Sequence, residues 1–418
     1  MRLKTVLKAT HGFKGFVYMD VQWGHFNHKR CLEAVIRPRQ GSRPVCSSCG
    51  RTGTVYDTPR APRRFLHVPL WGITFYLIYT MRRVDCRRCG VKIERVPWGE
   101  GKHEQTLACQ WFLARWARRM SWQAVSDAFG MKWHHVSSAV EMAVDWGRRH
   151  QDLDGVTAIG VDEIQWGSGH RYLTVVYQID AGLRRLLWVG QSRKTKTLEA
   201  FFDWFSDGRA KGLEFVCSDM WRPYLDVIRR RAGKALNILD RFHIVGYLNK
   251  AVDETRRKEA AELKRLGQDP VLTGSRWLLL KRPANLTPKQ APRLRELVRM
   301  NLRTVRAYML KEQFQHFWTY KTAGWAGRFL ADWCEQAMRS RLEPMKKVAK
   351  MLRRHRPLLL NYFRARKAFS SGVVEGLNNK AKTVTKRAYG YRSYKTLETA
   401  LYHGLGNLPE PKLAHWFS

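Results

Sequence analysis

The spacing of apolar residues changes along the chain and divides it into regions of different secondary structure. Apolar side chains alternate over residues 65–81 on both sides of Trp71 and Gly72, which predicts a β-hairpin. Farther along, they recur every three or four positions over 121–130 and 133–144, and a glycine-containing turn separates these two segments. Two short consecutive helices are therefore predicted.

A strand pattern begins at residue 155. Apolar runs separated by turn residues predict three consecutive antiparallel strands, at 156–164, 170–179 and 184–189. Helices and strands then alternate, with helices at 197–206 and 221–231 and strands at 213–219 and 235–240. The order βββαβαβ predicts an α/β fold in which helices cover both faces of a mixed sheet.

Residues 244–367 have helical periodicity without strand-like alternation, and prolines such as Pro270 and Pro357 divide them into separate helices. This segment is strongly basic, with 29 Lys and Arg against 10 Asp and Glu. The aromatic residues between Phe314 and Trp333 have the spacing of a packed core.

One more helix is predicted within 370–392. Its first residues are predicted to be Ser371 and Gly372, and its end is predicted at Gly390. One face is an apolar stripe, formed by Val374, Leu377, Ala381, Val384 and Ala388. The adjacent face is led by one acid and is otherwise polar or basic: Glu375, Asn379, Lys382 and Lys386. Taken alone, this helix favours the explanation that Glu375 only complements the helix dipole.

The charge of the chain predicts a polyanionic partner. Its 418 residues include 76 Lys and Arg against 35 Asp and Glu, a net charge of +41, and such a surplus repels itself unless nucleic acid is bound. A membrane partner is disfavoured, because the charges are spread over the whole chain and no apolar run is long enough to span a bilayer. The N-terminus lacks the pattern of a signal peptide, so a cytoplasmic, nucleoid-associated protein is expected.

Four of the eight cysteines form two Cys-x-x-Cys pairs, Cys46 with Cys49 and Cys86 with Cys89, and each pair is followed by a glycine. Such a glycine suits the tight turn that directs two thiolates at one ion. Two pairs on either side of a hairpin are typical of a zinc ribbon, and one structural Zn²⁺ is predicted in preference to a redox pair or free buried cysteines. The remaining cysteines are predicted to be buried without a role: Cys31, Cys109, Cys217 and Cys334.

The two helices at 121–130 and 133–144 have the spacing of a helix-turn-helix, which any short helical hairpin shares. The neighbouring zinc ribbon and the net charge favour the DNA-binding interpretation. In that interpretation, the polar side chains at the start of the second helix face a major groove: Lys132, His134, His135, Ser137 and Ser138.

Two aspartates stand where strands of the predicted sheet end. Asp162 lies near the end of the first strand, and Asp219 directly follows the fourth. If these strands are neighbours, both carboxylates meet at one sheet edge and repel each other unless Mg²⁺ or Mn²⁺ is bound, which would create a two-metal site for phosphoryl transfer. Each aspartate alone also has a structural explanation, and Asp219 is well placed to cap the following helix.

Four segments of the chain resemble those of DDE transposases with a ribonuclease H-like fold, and more narrowly those of the ISL3 family of bacterial insertion-sequence transposases. These segments are Gly160–Glu163, Ser218–Tyr224, Asp240–His243 and Ser370–Asn379. In that family a zinc-binding segment precedes a helix-turn-helix, and a helical insertion interrupts the catalytic fold. The predicted order of elements agrees with this organisation over nearly the whole chain.

The resemblance implies that Asp162, Asp219 and Glu375 form a catalytic triad holding two Mg²⁺ or Mn²⁺ ions. It also implies an accessory role for Asp240 and His243, although His243 is equally explained as a packing or capping residue. Basic residues on or near the glutamate helix would contact phosphates at the reacting DNA end: Lys380, Lys382, Lys386 and Arg387.

Five parts of the chain follow from these predictions. They are a zinc ribbon at 1–100, a helix-turn-helix domain at 101–150, a first catalytic part at 151–243, a basic all-helical insertion at 244–367, and a second catalytic part at 368–418. The expected partner is double-stranded DNA, comprising the terminal repeats of an insertion sequence and its target. Because two DNA ends must meet, a dimer or larger assembly is expected on DNA.

Two alternatives to a transposase stay open at this stage. The first is a non-catalytic DNA-binding regulator derived from a transposase, although the intact triad disfavours it. The second is a ribonuclease H-like nuclease or resolvase, which would use the same metal site without joining DNA strands.

Overall fold

The computed structural model of the chain describes residues 2–59, 61–101, 103–167, 169, 171–368, 372–387 and 391–412. The strands are β1 (Phe16–Phe26), β2 (Lys29–Pro38), β3 (Thr54–Asp57), β4 (Arg63–Leu70), β5 (Ile73–Tyr79), β6 (Arg83–Cys86), β7 (Gly90–Ile93), β8 (Ala158–Gly167), β9 (Arg171–Asp180), β10 (Leu183–Gln191), β11 (Phe215–Ser218) and β12 (Leu236–Leu239).

The first eight helices are α1 (Leu3–Thr10), α2 (Leu107–Arg119), α3 (Trp122–Phe129), α4 (Trp133–His150), α5 (Thr195–Phe205), α6 (Asp207–Lys211), α7 (Arg222–Arg231) and α8 (Arg241–Arg265). The others are α9 (Arg276–Leu280), α10 (Gln290–Val298), α11 (Arg303–Phe314), α12 (Ala323–Arg339), α13 (Glu343–Arg354), α14 (Arg356–Arg364), α15 (Gly372–Arg387) and α16 (Tyr394–Leu405). Across the described ranges, no helix is both long enough and apolar enough to cross a bilayer.

The described residues form two compact units. The first contains residues 2–152 and 383–412, and the second contains residues 153–382.

Two small sheets form the N-terminal part of the first unit. The larger has the strand order β1-β2-β5-β4, in which β2 and β5 are parallel and the other pairs are antiparallel. The predicted hairpin is the pair β4–β5, and its turn residues Trp71 and Gly72 both have positive φ, at 51° and 78°. The smaller sheet is antiparallel and has the order β3-β6-β7. Its strand β6 ends at Cys86, the first cysteine of the second Cys-x-x-Cys pair.

Helices α2, α3, α4 and α16 pack together in the same unit. The two predicted helices are α3 and α4, and the short turn between them follows from local chemistry. The Ser121 hydroxyl accepts a hydrogen bond from the Ala124 N–H at the start of α3, and Gly130 ends this helix with a φ of 60°. Helix α4 extends to His150, six residues beyond the prediction.

The second unit is built on a five-stranded sheet with the order β10-β9-β8-β11-β12. Strands β8, β9 and β10 are antiparallel, and β11 and β12 run parallel to β8, so the predicted mixed sheet is confirmed. Side chains alternate between its faces. Ile159 and Val161 of β8 pack with Phe201 of α5 and Val227 of α7 on one face, which leaves Asp162 on the other.

The predicted all-helical segment comprises most of α8 and the whole of α9–α14, and no strand interrupts it in the described chain. Its aromatic residues are mostly internal, as predicted, with Phe314, Phe317 and Trp333 buried in one core. Helix α14 contacts β12 of the sheet, where the Asn361 amide donates a hydrogen bond to the Asn237 carbonyl over 2.9 Å.

Candidate active site and metal centre

The two Cys-x-x-Cys pairs meet in the first unit. Cys86 ends β6, and Cys46 lies on an isolated β-bridge to Glu94, just beyond β7. The glycine after each pair, Gly50 or Gly90, has a φ near 70°, which favours glycine. All four Sγ atoms lie within 4.8 Å of one another.

The geometry of this cysteine cluster fits a tetrahedral Zn²⁺ ion. The Sγ atoms of Cys49 and Cys86 are 3.6 Å apart. Two ligands of a tetrahedral ion with Zn–S bonds of about 2.3 Å are separated by about 3.8 Å. Main-chain N–H groups of Cys49 and Ser48 lower the pKa of the Cys46 thiol to about 7, which favours the thiolate that binds metal. The other four cysteines are buried, as predicted.

In the second unit, adjacent strands bring Asp162 and Asp219 to the same region of the sheet. Strand β11 pairs with β8 only along Ala158–Gly160, and Asp219 directly follows β11. Asp162 therefore lies two residues beyond the paired part of β8. The prediction that Asp162 is near a strand end is wrong, because β8 continues to Gly167 in its hairpin with β9.

Both aspartates accept main-chain hydrogen bonds. Oδ1 of Asp162 accepts from the Glu163 N–H over 2.7 Å, and Oδ1 of Asp219 accepts from the Trp221 N–H over 3.0 Å. Asp219 thus forms a turn before α7, but the N-cap residue of that helix is Trp221. These bonds hold each carboxylate in a defined orientation at the sheet.

A group of acids surrounds these two aspartates. Burial raises the pKa of Asp162 and of Asp219, and the nearby charge of Asp240 raises both pKa values further. Burial, and then repulsion from Asp219, raises the pKa of Glu163 to about 7. Half-buried carboxyl groups that repel one another are the oxygen donors that a bound divalent cation stabilises. The donor set therefore fits Mg²⁺ or Mn²⁺.

Asp240 and His243 lie beside this acidic group. Oδ1 of Asp240 accepts a hydrogen bond from the Phe242 N–H over 2.6 Å, so Asp240, and not His243, caps α8. Its Oδ2 lies 2.9 Å from Nδ1 of His243. This hydrogen bond raises the pKa of His243 to about 9, which places an imidazolium next to the carboxylates at neutral pH.

Helix α15 contacts β8 on the face that carries Asp162. A Cβ atom at Gly160 would lie 2.5 Å from Cγ2 of Val374, so glycine permits the close approach of the helix. One turn later, the amide nitrogen of Asn378 donates to Oδ2 of Asp162. The amide oxygen of Asn378 accepts from the buried Tyr177 hydroxyl over 2.9 Å. Asn378 therefore connects α15 to Asp162.

Glu375 is exposed in the first turn of α15, three residues before Asn378 and on the same side of the helix. Among the described residues, only the four-cysteine cluster has three or more metal-binding side chains within 4.8 Å of one another. The carboxylates of Asp162, Asp219 and Glu375 are therefore not all within that distance. A site for two ions about 3.5–4 Å apart is larger than a site for one ion, so its ligands need not all lie within 4.8 Å of one another.

The predicted start of this helix at Gly372 agrees with the structure, whereas Ser370, Ser371 and Gly390 lie outside the described residues. The basic residues predicted to bind phosphate are all exposed: Lys380, Lys382, Lys386 and Arg387.

Two residues of the site had no predicted role. Glu163 follows Asp162 in a strand, where alternation argues against a shared site, and only the structure reveals its interaction with Asp219. Asn378 lies at i+3 from Glu375, so helical spacing already placed it on the glutamate's side of the helix.

The residues predicted to face a DNA groove divide into two groups. Lys132 and His134 are exposed at the start of α4. By contrast, Nε2 of His135 lies 3.8 Å from a carboxylate oxygen of Glu104, and the Ser138 hydroxyl donates to the Gln105 amide oxygen over 3.3 Å. His135 and Ser138 thus contact the segment that precedes α2.

Comparison with known proteins places this chain among transposases. Residues 159–401 match the ISL3 family model, described as a transposase, and residues 42–89 match a model described as the zinc-finger of transposase IS204/IS1001/IS1096/IS1165. The chain is 30% identical over 401 residues to the transposase for insertion sequence element IS1001 of Bordetella parapertussis, covering 93% of this chain and 95% of that protein. It is 29% identical over 391 residues to the transposase for IS1557 of Mycobacterium tuberculosis, covering 87% and 86%.

The family model matches more than half of the chain, and both relatives match nearly all of it. The chain belongs to the ISL3 family of transposases. The zinc-finger match includes all four clustered cysteines, and together these findings support one structural Zn²⁺ ion.

Proposed function

We propose that the chain is a DDE transposase that cuts DNA at the ends of an insertion sequence and joins those ends to a target. The observation that best supports this proposal is that Asp162 and Asp219, from adjacent strands, both act electrostatically on His243, while Asn378 of the Glu375 helix binds Asp162. The strand order β10-β9-β8-β11-β12 further supports a ribonuclease H-like catalytic domain. Its two parts, 151–243 and 368–418, are separated in sequence by the helical insertion at 244–367.

In this proposal Asp162, Asp219 and Glu375 hold two Mg²⁺ or Mn²⁺ ions. Bound ions would supply activation of the attacking oxygen and stabilisation of the leaving oxygen. Asn378 orients the Asp162 carboxylate, and Asp240 holds the positively charged imidazolium of His243 beside the acids. Exposed lysines of α15, Lys380 and Lys382, attract the phosphates of the reacting strand.

DNA recognition belongs to the first 150 residues in this proposal. The zinc ribbon at 1–100 and the helix-turn-helix domain at 101–150 bind the terminal repeats, with Lys132 and His134 accessible to a groove. Two ends must be brought together before joining, so the active form is a dimer or larger assembly on DNA. The partner DNA makes the bacterial nucleoid the expected site of action.

Joining of a labelled terminal fragment into a plasmid tests the proposal. The wild-type protein is expected to give joined product with Mg²⁺ or Mn²⁺, and Asp162→Asn or Asp219→Asn should abolish it while retaining DNA binding. The matched control is Asp226→Asn, because Asp226 is a half-exposed acid of α7 that forms ion pairs with Arg222 and Arg229 of its own helix.

The outcomes separate the alternatives. Cleavage without any joined product would identify a nuclease or resolvase. DNA binding without either reaction would identify a regulator. Full joining by Asp162→Asn would contradict the assignment of the metal site.

A further inference from the structure

A cavity of about 610 Å³ lies within the first unit, where the first residues of α3 and α4 face Val384, Arg387 and residues from 391–404. Its volume is in the range of sites that enclose a small organic ligand. The cavity contains no residue assigned to catalysis, to zinc binding or to the groove-facing set, and it shares only Arg387 with the residues predicted to contact phosphate. The cavity therefore needs its own explanation.

Three aromatic side chains form one part of the cavity. Trp122 is at the centre, with its ring 5.8 Å from that of Trp133 and 6.2 Å from that of Tyr391 between centroids. Trp133 is the first residue of α4 and is 45% exposed, although a tryptophan in a folded protein is usually buried. Exposed aromatic faces at the entrance of a cavity offer a surface on which a flat ring can stack.

Arginines supply the charge of the cavity. Arg118 forms an ion pair with Glu410 over 2.8 Å, so its charge is already partnered. Arg387 donates to the Arg118 carbonyl and is otherwise exposed, and Arg392 is also exposed. The cavity thus combines flat aromatic faces with accessible guanidinium groups, a combination that binds single nucleotides.

His403 lies in the wall of the cavity, and its side chain is buried. Burial lowers the pKa of His403 to about 3, so its ring is neutral at physiological pH. The positive charge of the cavity therefore comes from its arginines and not from this histidine.

We propose that this cavity binds one unpaired nucleobase of the DNA, which stacks on the exposed faces of the tryptophans. Every unpaired nucleobase presents a flat face for stacking, and the exposed guanidinium groups of Arg387 and Arg392 are available to the flanking phosphates. The cavity adjoins the first residues of α4, Lys132 and His134, which the proposed function assigns to DNA. The inference rests on that function for its DNA partner but not for catalysis.

Competition binding with two short duplexes tests the inference, using the full-length protein without Mg²⁺. One duplex carries a single unpaired adenine at its 3′ end, and the other carries an abasic nucleotide there, which has the same phosphate but no base. Wild-type protein is expected to bind the adenine duplex roughly tenfold more tightly. Trp133→Leu should remove this preference while leaving binding of the abasic duplex unchanged.

Trp325→Leu is the matched control, because Trp325 is also an exposed tryptophan near the start of a helix, with Arg328 over its ring, and it lies outside the cavity. This variant should keep the full preference. Equal binding of the two duplexes by the wild type, or a preference that survives in Trp133→Leu, would overturn the inference. A protein that joins DNA but shows no preference contradicts this inference alone. Preference without joining contradicts only the proposed function.

Discussion

At the scale of single residues, the orientation of Asp162 depends on a side chain far away in sequence. Asn378 donates to Asp162 and accepts from Tyr177, and both of its partners are on the sheet. A carboxylate that must hold a metal ion needs such a partner, since outer hydrogen bonds fix the position of the ligand. Asn378 is therefore a positioning residue in the proposed mechanism.

Asn378→Ser is expected to lower strand joining by about 10–100-fold, because outer-shell changes at metal sites have effects of this size. The Mg²⁺ concentration giving half-maximal rate should rise as well, which loss of packing alone would not produce. The measurement is a Mg²⁺ titration of the joining rate. Asn301→Ser makes the same exchange at an exposed position of the same unit and should leave the titration unchanged; an unchanged titration in Asn378→Ser would contradict the role.

The cysteine cluster supports a second prediction at this scale. Wild-type protein should contain one zinc per chain by atomic absorption, and Cys49→Ser should lose it together with binding to the terminal repeat. Cys31→Ala changes a buried cysteine outside the cluster and should retain the zinc. A wild-type protein that contains no zinc would contradict the assignment of a zinc ribbon.

At the scale of elements, the contact between α15 and β8 depends on the absence of a side chain at Gly160. An alanine there would place its Cβ 2.5 Å from Cγ2 of Val374 and 3.4 Å from Cγ2 of Ile179. Overpacking of this kind costs about 1–3 kcal/mol and displaces the neighbouring element. Displacement of α15 would move Glu375 and Asn378 away from Asp162.

Gly160→Ala is therefore expected to lower the melting temperature and to reduce strand joining strongly. The double variant Gly160→Ala with Val374→Ala makes room for the added methyl group and should recover part of the activity. Gly246→Ala serves as control, since Gly246 lies in α8 with open space around its Cβ position. Activity and stability are measured together, and a fully active Gly160→Ala would show that the contact is unimportant.

The type and sequence order of the strands in the five-stranded sheet of the second unit were predictable, because apolar runs and turn residues mark each of these strands locally. That order also predicted that Asp162 and Asp219 belong to neighbouring strands, although Asp162 lies within β8 and not near its end. The length of α4 was not predictable, since Gly147 weakens the helical pattern and its burial depends on Leu408, more than 250 residues away. The bond from Asn378 to Asp162 spans 216 positions and requires the packing of α15 on β8, which no local pattern contains.

At the scale of the whole molecule, the net charge of +41 makes DNA affinity strongly dependent on salt. Contacts between single lysines and phosphates add to this general attraction between the chain and DNA. Lys382 is exposed on α15, whereas Lys196 is exposed on α5, which packs on the opposite face of the sheet. The same charge change at these two positions therefore separates a contact from an effect of total charge.

Lys382→Glu is expected to weaken DNA binding and to make the loss of affinity with salt less steep than in the wild type, by roughly one counterion. Lys196→Glu should leave the slope close to that of the wild type. A salt titration of DNA affinity provides the measurement. Equal slopes for the two variants would refute a specific phosphate contact at Lys382.

In the proposed mechanism, Asp162, Asp219 and Glu375 hold the metal ions of the reaction. The most direct measurement counts Mn²⁺ bound per chain by electron paramagnetic resonance, with an uncleavable terminal DNA present. Two ions are expected for the wild type and for the control Asp226→Asn, and fewer for Asp162→Asn, Asp219→Asn and Glu375→Gln. Two ions in all three triad variants would contradict this mechanism.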